Sequence, residues 1–259
     1  NGLFTMGDIA RCSLGKPEEL HNEELLYRLF GVQAELLIDH AWGWEPCTIA
    51  AIKDYRPKSS SLSSGQVLPE PYPHEKARLI VREMADQLSL ELVEKGLVCS
   101  QFVLDIGYDA ENLSAPVRQK TYHGPTKTDR YGRAVPAAAH GSVNLPVPAS
   151  SARILMQAAA EVFDRIADSR LSVRRVTVTA AGLLRQEEAQ LVGGDQLDFF
   201  GNYAAHQQQK AELERELSGQ QAIVALRQKY GKNAVLRGMD LQEGATTKNR
   251  NGQIGGHKA

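Results

Sequence analysis

Side chains able to make or break bonds are few and scattered in this chain. Asp105 and Asp109 lie on or just after one alternating segment. No second carboxylate cluster and no phosphate-binding lysine loop accompanies them, so they do not form a two-metal phosphoryl-transfer centre. The seven histidines and the cysteines Cys12, Cys47 and Cys99 lack metal-ligand or disulfide spacing. The residues offer recognition chemistry instead, of two kinds. Lys58, Ser59, Ser61 and Ser63, with Arg174, Arg175 and Thr177 far along the chain, combine hydroxyls and guanidiniums, which suit phosphate oxygens. Gln196, Leu197, Asp198, Phe199 and Phe200 set an apolar cluster between Gly193-Gly194 and Gly201-Asn202. Large apolar groups on turn-forming chain are the anchors of a peptide that docks into a groove.

Composition bounds the setting. The 259 residues have 42% hydrophobic and 24% charged side chains and leave room for about two domains. No apolar run has the length of a membrane span, and no secretory signal is present, so a reduced cytoplasm is the expected compartment. The chain begins at Asn1 and reads as a fragment. Net charge is −1, but its distribution is uneven. Residues 118–133 carry five basic side chains against one acid, whereas 186–198 carry four acids and no base. The basic tract, with Lys120, Lys127 and Arg130, is a candidate surface for a polyanion; an ordinary mottled surface gives the same counts.

The elements that must position these groups fall into three blocks. Residues 1–56 predict short helices: one from Thr5, capped by its hydroxyl, one over Glu23 to Leu29, and one over Val32 to Trp42. Helices punctuated by glycine are consistent with phosphate-gripping helix-hairpin-helix units or with a small bundle closed by glycine caps. Residues 57–184 predict strand, helix, strand, strand, helix, strand. The first strand covers Lys58 to Ser64 and ends at Gly65, and the helices cover 74–95 and 151–168. Phe102, Leu104, Ile106 and Tyr108 alternate, as do Val143, Leu145 and Val147, and then Val176, Val178 and Ala180.

This order is a split βαβ arrangement, an α+β fold with a four-stranded antiparallel sheet and both helices on one face. Ser59, Ser61, Ser63, Arg175, Thr177 and Thr179 then line the uncovered face, which is expected to be hydroxyl-rich and basic. Phe102 and Tyr108 share the parity of the core, so base stacking on this sheet is not expected. Residues 185–259 predict an acidic linker holding the pentapeptide, a polar helix over about 203–230, and a flexible basic tail from Gly231.

Several stretches together resemble the Y-family translesion DNA polymerases. Gly2-Leu3-Phe4-Thr5-Met6-Gly7-Asp8-Ile9-Ala10 is similar to a stretch of their thumb, and Lys58-Ser59-Ser60-Ser61 to the entry of their little finger. Asp129-Arg130-Tyr131-Gly132-Arg133, Val173-Arg174-Arg175-Val176, Leu236-Arg237-Gly238-Met239 and Gly252 to Lys258 resemble the UmuC/ImpB/MucB/SamB-type branch of Gram-positive bacteria. Gln196 to Phe200 is similar to the peptide by which bacterial polymerases and repair proteins hold the sliding clamp, with Phe199 where Leu is more usual.

The resemblance implies a thumb at 1–56, a little finger at 57–184 and a clamp-binding tail at 185–259. It also implies a monomeric, nucleoid-associated protein of translesion synthesis and the SOS response. Its partners would be damaged primer-template DNA and the clamp. The implied activity is DNA-directed DNA polymerisation, with two magnesium ions held by a palm. That palm is not among these residues, so the chain is expected to be inactive alone and to need no cofactor. A non-catalytic, naturally truncated module that occupies DNA and clamp is the alternative.

Overall fold

The computed structural model describes residues 1–55, 60–114, 122–129, 131–192, 203–254 and 257–258. The chain divides into two compact units, Asn1–Lys58 and Ser59–Ala259.

The first unit is helical: α1 (Met6–Ser13), α2 (Glu23–Phe30), α3 (Gln33–Ala41) and α4 (Ile49–Asp54). Thr5 caps α1 by accepting the Asp8 amide, and the Asp8 carboxylate accepts the Thr5 amide in return, which closes a capping box. Asp8 also accepts the Phe4 amide at 3.0 Å and the Thr5 hydroxyl at 2.9 Å. These donors, the Phe4 amide foremost, pull its carboxyl down to about 2. Asn22 caps α2, and Gly31 closes it with a positive φ of 59° that other residues resist. Cys12, Leu25, Leu26 and Ala34 form a small core against which Leu3, Ile9 and Ile38 pack.

The second unit is built on β1 (Ser61–Tyr72), α5 (His74–Glu94), β2 (Leu97–Tyr108), β5 (Ala139–Ala149), α7 (Ala152–Ile166) and β6 (Val173–Arg185). Short elements stand between β2 and β5: α6 (Glu111–Ser114) and the hairpin of β3 (Thr126–Thr128) and β4 (Ala134–Pro136). The four long strands pair antiparallel in the order β1-β6-β2-β5. The split βαβ architecture expected from the sequence is therefore present. Phe102, Leu104, Ile106, Val176, Val178 and Ala180 are buried with Ile80, Met84, Leu88, Leu155, Val162 and Phe163 of the two long helices. Alternation fixes the register, because a slip of one residue would turn this whole apolar set to water.

One strand boundary differs from expectation. β1 runs to Tyr72 rather than ending at Gly65, which pairs in register with Thr177. Glycine is tolerated there because its bare Cα lets Thr177 approach; a Cβ would lie 3.3 Å from the threonine hydroxyl. Pro69 and Pro71 are accommodated in the same strand because β1 is at the sheet edge.

The tail is the larger correction. After α8 (Gln186–Val192) and α9 (Tyr203–Tyr230), the chain does not stay flexible from Gly231. It forms a 3-10 turn (Gly238–Leu241) and α10 (Thr247–Arg250), followed by a pairing of β7 (Gln253–Ile254) with β8 (His257–Lys258). Its anchors are polar, so hydrophobic patterning is blind to them. Glu83, 2% exposed on α5, accepts the Thr246 amide at 2.9 Å and the Thr247 amide at 3.4 Å. Arg237 Nε reaches Asp86 at 2.6 Å. Helix α9 is also docked rather than free: Gln220 Nε2 donates to Ser89 Oγ and to the Ser150 carbonyl, and Glu216 accepts the Ser151 hydroxyl at 2.7 Å.

Candidate nucleic-acid interface

The sheet face away from α5 and α7 is assembled row by row from the register. Ser61, Ala181, Gln101 and Asn144 make one row across β1, β6, β2 and β5. Ser63, Thr179, Val103 and Ser142 make the next, followed by Gly65, Thr177, Asp105 and His140. Val67, Arg175 and Gly107 begin a fourth. Most of these residues are small, because no helix covers them and bulk there stabilises nothing. Gly107 serves a specific contact: a Cβ at that position would stand 3.1 Å from Arg175 Cβ, so glycine lets the arginine lie close over β2.

Hydrogen bonds across the strands order this face. Thr179 Oγ1 donates to Ser63 Oγ at 2.9 Å, and Gln101 Nε2 donates to Asn144 Oδ1 at 3.0 Å. His140 Nδ1 and Asp105 Oδ1 stand 2.7 Å apart. The single hydroxyl protons of Thr179 and Ser63 are spent on Ser63 Oγ and on the Val178 carbonyl, whereas the amides of Gln101 and Asn144 keep N–H groups that suit a ligand presenting oxygens.

The expected residues are distributed as follows. Ser61 and Ser63 are exposed on the open face, and Thr177 is half-buried beside them. Arg175 is exposed on the same face, without a carboxylate at ion-pair distance among the described residues. Arg174 is not there. Val173 pairs with Tyr108 and Arg175 with Gly107, so Arg174 is the extra residue of a bulge. It turns to Asp109, with Nε 3.6 Å from Oδ2. Lys127 is exposed on β3. Lys58, Ser59, Lys120 and Arg130 lie outside the described residues, as do Gln196, Leu197, Asp198, Phe199 and Phe200.

The face is less basic than its parity alone implies, because β2 contributes Asp105. The pairing of Asp105 with His140 is a feature that strand patterning missed; only the β2–β5 register brings the two together. Ser64 and Gln66 also depart from a simple hydroxyl-face picture. They point to the covered side of β1, where Arg250 donates to the Ser64 hydroxyl and Gln66 Nε2 donates to Thr246 Oγ1 at 2.9 Å.

Among the described residues no group of His, Cys, Asp and Glu has metal-binding placement. Burial pushes the Cys99 thiol up to about 12, which removes it as a nucleophile at neutral pH. No described helix is long and apolar enough to cross a membrane.

The second unit is thus an α+β domain with two helices behind a four-stranded sheet and a hydrogen-bonded, uncovered front. Residues 59–195 match the model of the impB/mucB/samB family C-terminal domain, which covers more than half the chain, and the protein belongs to that family. It therefore carries the C-terminal region of a UmuC/ImpB-type Y-family polymerase, a class that acts in DNA damage tolerance. No curated protein matches the chain.

Proposed function

We propose that this chain supplies the DNA grip and the clamp tether of a translesion polymerase. The second unit holds primer-template DNA through its open sheet face. The observation that carries this reading is the exposed Arg175 set among Ser61, Ser63, Thr177 and Thr179, without a carboxylate of its own. Hydroxyl and guanidinium donors on a flat face bind phosphates and leave base identity unread. A grip of that kind tolerates a damaged template, and Asp105 and His140 limit how much of the face a backbone can follow. Lys127 on the β3–β4 hairpin, with Lys58, Lys120 and Arg130, extends the contact. If about five phosphates are neutralised, duplex affinity falls with salt at a log-log slope of about −4.5. Fluorescence anisotropy of a labelled primer-template across a salt series tests this; salt-independent or undetectable affinity overturns it.

The tether is Gln196 to Phe200, in the segment joining α8 and α9. Leu197 and Phe200 fill an apolar groove of the clamp, the Gln196 amide bonds at its rim, Asp198 faces water and Phe199 adjusts affinity. Burying a phenylalanine covers about 150–250 Å² and contributes a few kcal/mol at ~25 cal/mol per Å². Ordering the segment offsets about 2–5 kcal/mol of the gross gain, so the tether is exchangeable. Leu197→Ala with Phe200→Ala abolishes clamp pull-down while duplex affinity is retained; clamp binding that survives the double change rules the tether out.

A further inference from the structure

The row of Gly65, Thr177, Asp105 and His140 ends in an acid–base pair on the outer strand β5. His140 Nδ1 lies 2.7 Å from Asp105 Oδ1, with the imidazole 64% and the carboxylate 48% exposed. A carboxylate only accepts, so Nδ1 carries the proton of this bond and donates it. Nε2 has no protein partner among the described residues. In the neutral ring that nitrogen is a bare lone pair.

The pair in that state presents acceptors alone to solvent, together with the negative charge of Asp105. A phosphodiester is also negative and also only accepts, so the two repel. One proton on Nε2 reverses both properties: the imidazolium donates from Nε2, and its charge cancels that of Asp105. The Nδ1–H bond holds the ring in the same place in both states, so the change needs no rearrangement.

Other charges around β5 do not replace that proton. The next row holds Arg175, on β6 rather than beside His140. Arg165 of α7 donates to the Ser142 carbonyl of β5 at 2.6 Å and stands 3.7 Å from Glu161. Beyond the end of β2, Asp109 faces Arg174. The β4 strand that packs near β2 carries no ionisable side chain.

We propose that the Asp105–His140 pair is a proton-controlled phosphate contact, at which the DNA backbone crosses β5 only with His140 protonated on Nε2. The proposal rests on the reading of the open face as the DNA grip and adds a regulation to it. Binding takes up one proton from solvent. With the ring neutral, the pair confines the backbone to β1 and β6, where Ser61, Thr177 and Arg175 stand. Histidine is the side chain suited to this exchange, since its charge ordinarily changes between about pH 5 and 8.

Anisotropy of a labelled primer-template with the full chain, at constant ionic strength from about pH 8 to about pH 6, reads the linkage. Protonation that favours binding is favoured by binding in return, so wild-type affinity should rise at least about threefold over that range. His140→Gln, neutral throughout, should lose the rise. His140→Lys, charged throughout, should bind at about pH 8 as the wild type binds at about pH 6, and should be insensitive to pH. Both side chains are exposed, and unchanged melting temperatures verify the fold of the variants. The salt slope at about pH 8, and its reduction in Arg175→Ala, report on the grip itself. A normal slope with a pH profile that His140→Gln leaves unchanged overturns the role of the pair and spares the grip. Absence of duplex binding at every pH overturns both.

Discussion

The carboxylate of Asp86, its side chain 3% exposed in the middle of α5, receives Arg237 Nε at 2.6 Å from a residue 151 positions further along the chain. With Glu83 and the amides of Thr246 and Thr247, it turns one polar side of a core helix into the seat of the C-terminal tail. Burying the acids is costly, and the tail supplies the partners that make burial tolerable.

Removing one partner should therefore cost more than removing both. Arg237→Ala leaves Asp86 buried with its charge uncompensated. Because Arg237 is itself partly exposed, the expected loss is about 1–3 kcal/mol rather than the full penalty of a buried pair. Adding Asp86→Leu should recover most of it. Urea midpoints of the single and double variants measure both effects, and hydrogen exchange of residues 238–250 should accelerate in the single variant.

The same acids give the second unit a pH signature. Burial raises the pKa of Glu83 and of Asp86, partly opposed by the tail amides for the first and by Arg237 for the second. A carboxyl with a raised folded pKa favours the fold while protonated. Its contribution is full below about pH 4 and declines as pH rises through the folded pKa. Glu83→Gln should flatten that part of the urea-midpoint profile.

The first unit should respond with the opposite sign. Asp8, pulled down to about 2 by the Phe4 and Thr5 donors, stabilises α1 above about pH 4 and loses that effect as pH falls through about 2. Asp8→Asn should level the acid limb in a helix-monitored titration. Thr5→Ala, which removes the reciprocal cap, should destabilise the helix by about 1 kcal/mol.

Neighbouring arginines should separate by role. Arg175 is on the open face and Arg174 is at a bulge beside Asp109. Arg175→Ala should reduce the salt slope of duplex binding by about 0.9, the loss of one neutralised phosphate. Arg174→Ala should leave that slope in place. Anisotropy titrations of the two variants in parallel give the comparison.

The sheet was legible in the sequence because its burial follows a simple period: Phe102, Leu104 and Ile106 alternate, and Ile80, Met84 and Leu88 recur at helical spacing. The exposed face was legible for the same reason, by complement. Three features were not. Arg174 shares the parity of the inward Val176 and is grouped by sequence with Arg175 as a candidate contact; a bulge turns it to Asp109, a backbone choice that two adjacent arginines do not signal. Asp105 and His140 met through register across two strands. The tail folded through Glu83, Asp86, Arg237 and Thr246, whose bonding depends on partners more than 150 positions apart. Two acids at 83 and 86, between the apolar positions of α5, were the available signal for that seat.

The central claim is that the uncovered sheet face carries the DNA. Thr177→Glu tests it most directly, since it places a carboxylate between Gly65 and Asp105 and leaves the core beneath untouched. Primer-template affinity should fall at least about tenfold, equivalent to about 1.4 kcal/mol, with the melting temperature unchanged. Wild-type affinity in a folded Thr177→Glu protein would contradict the account.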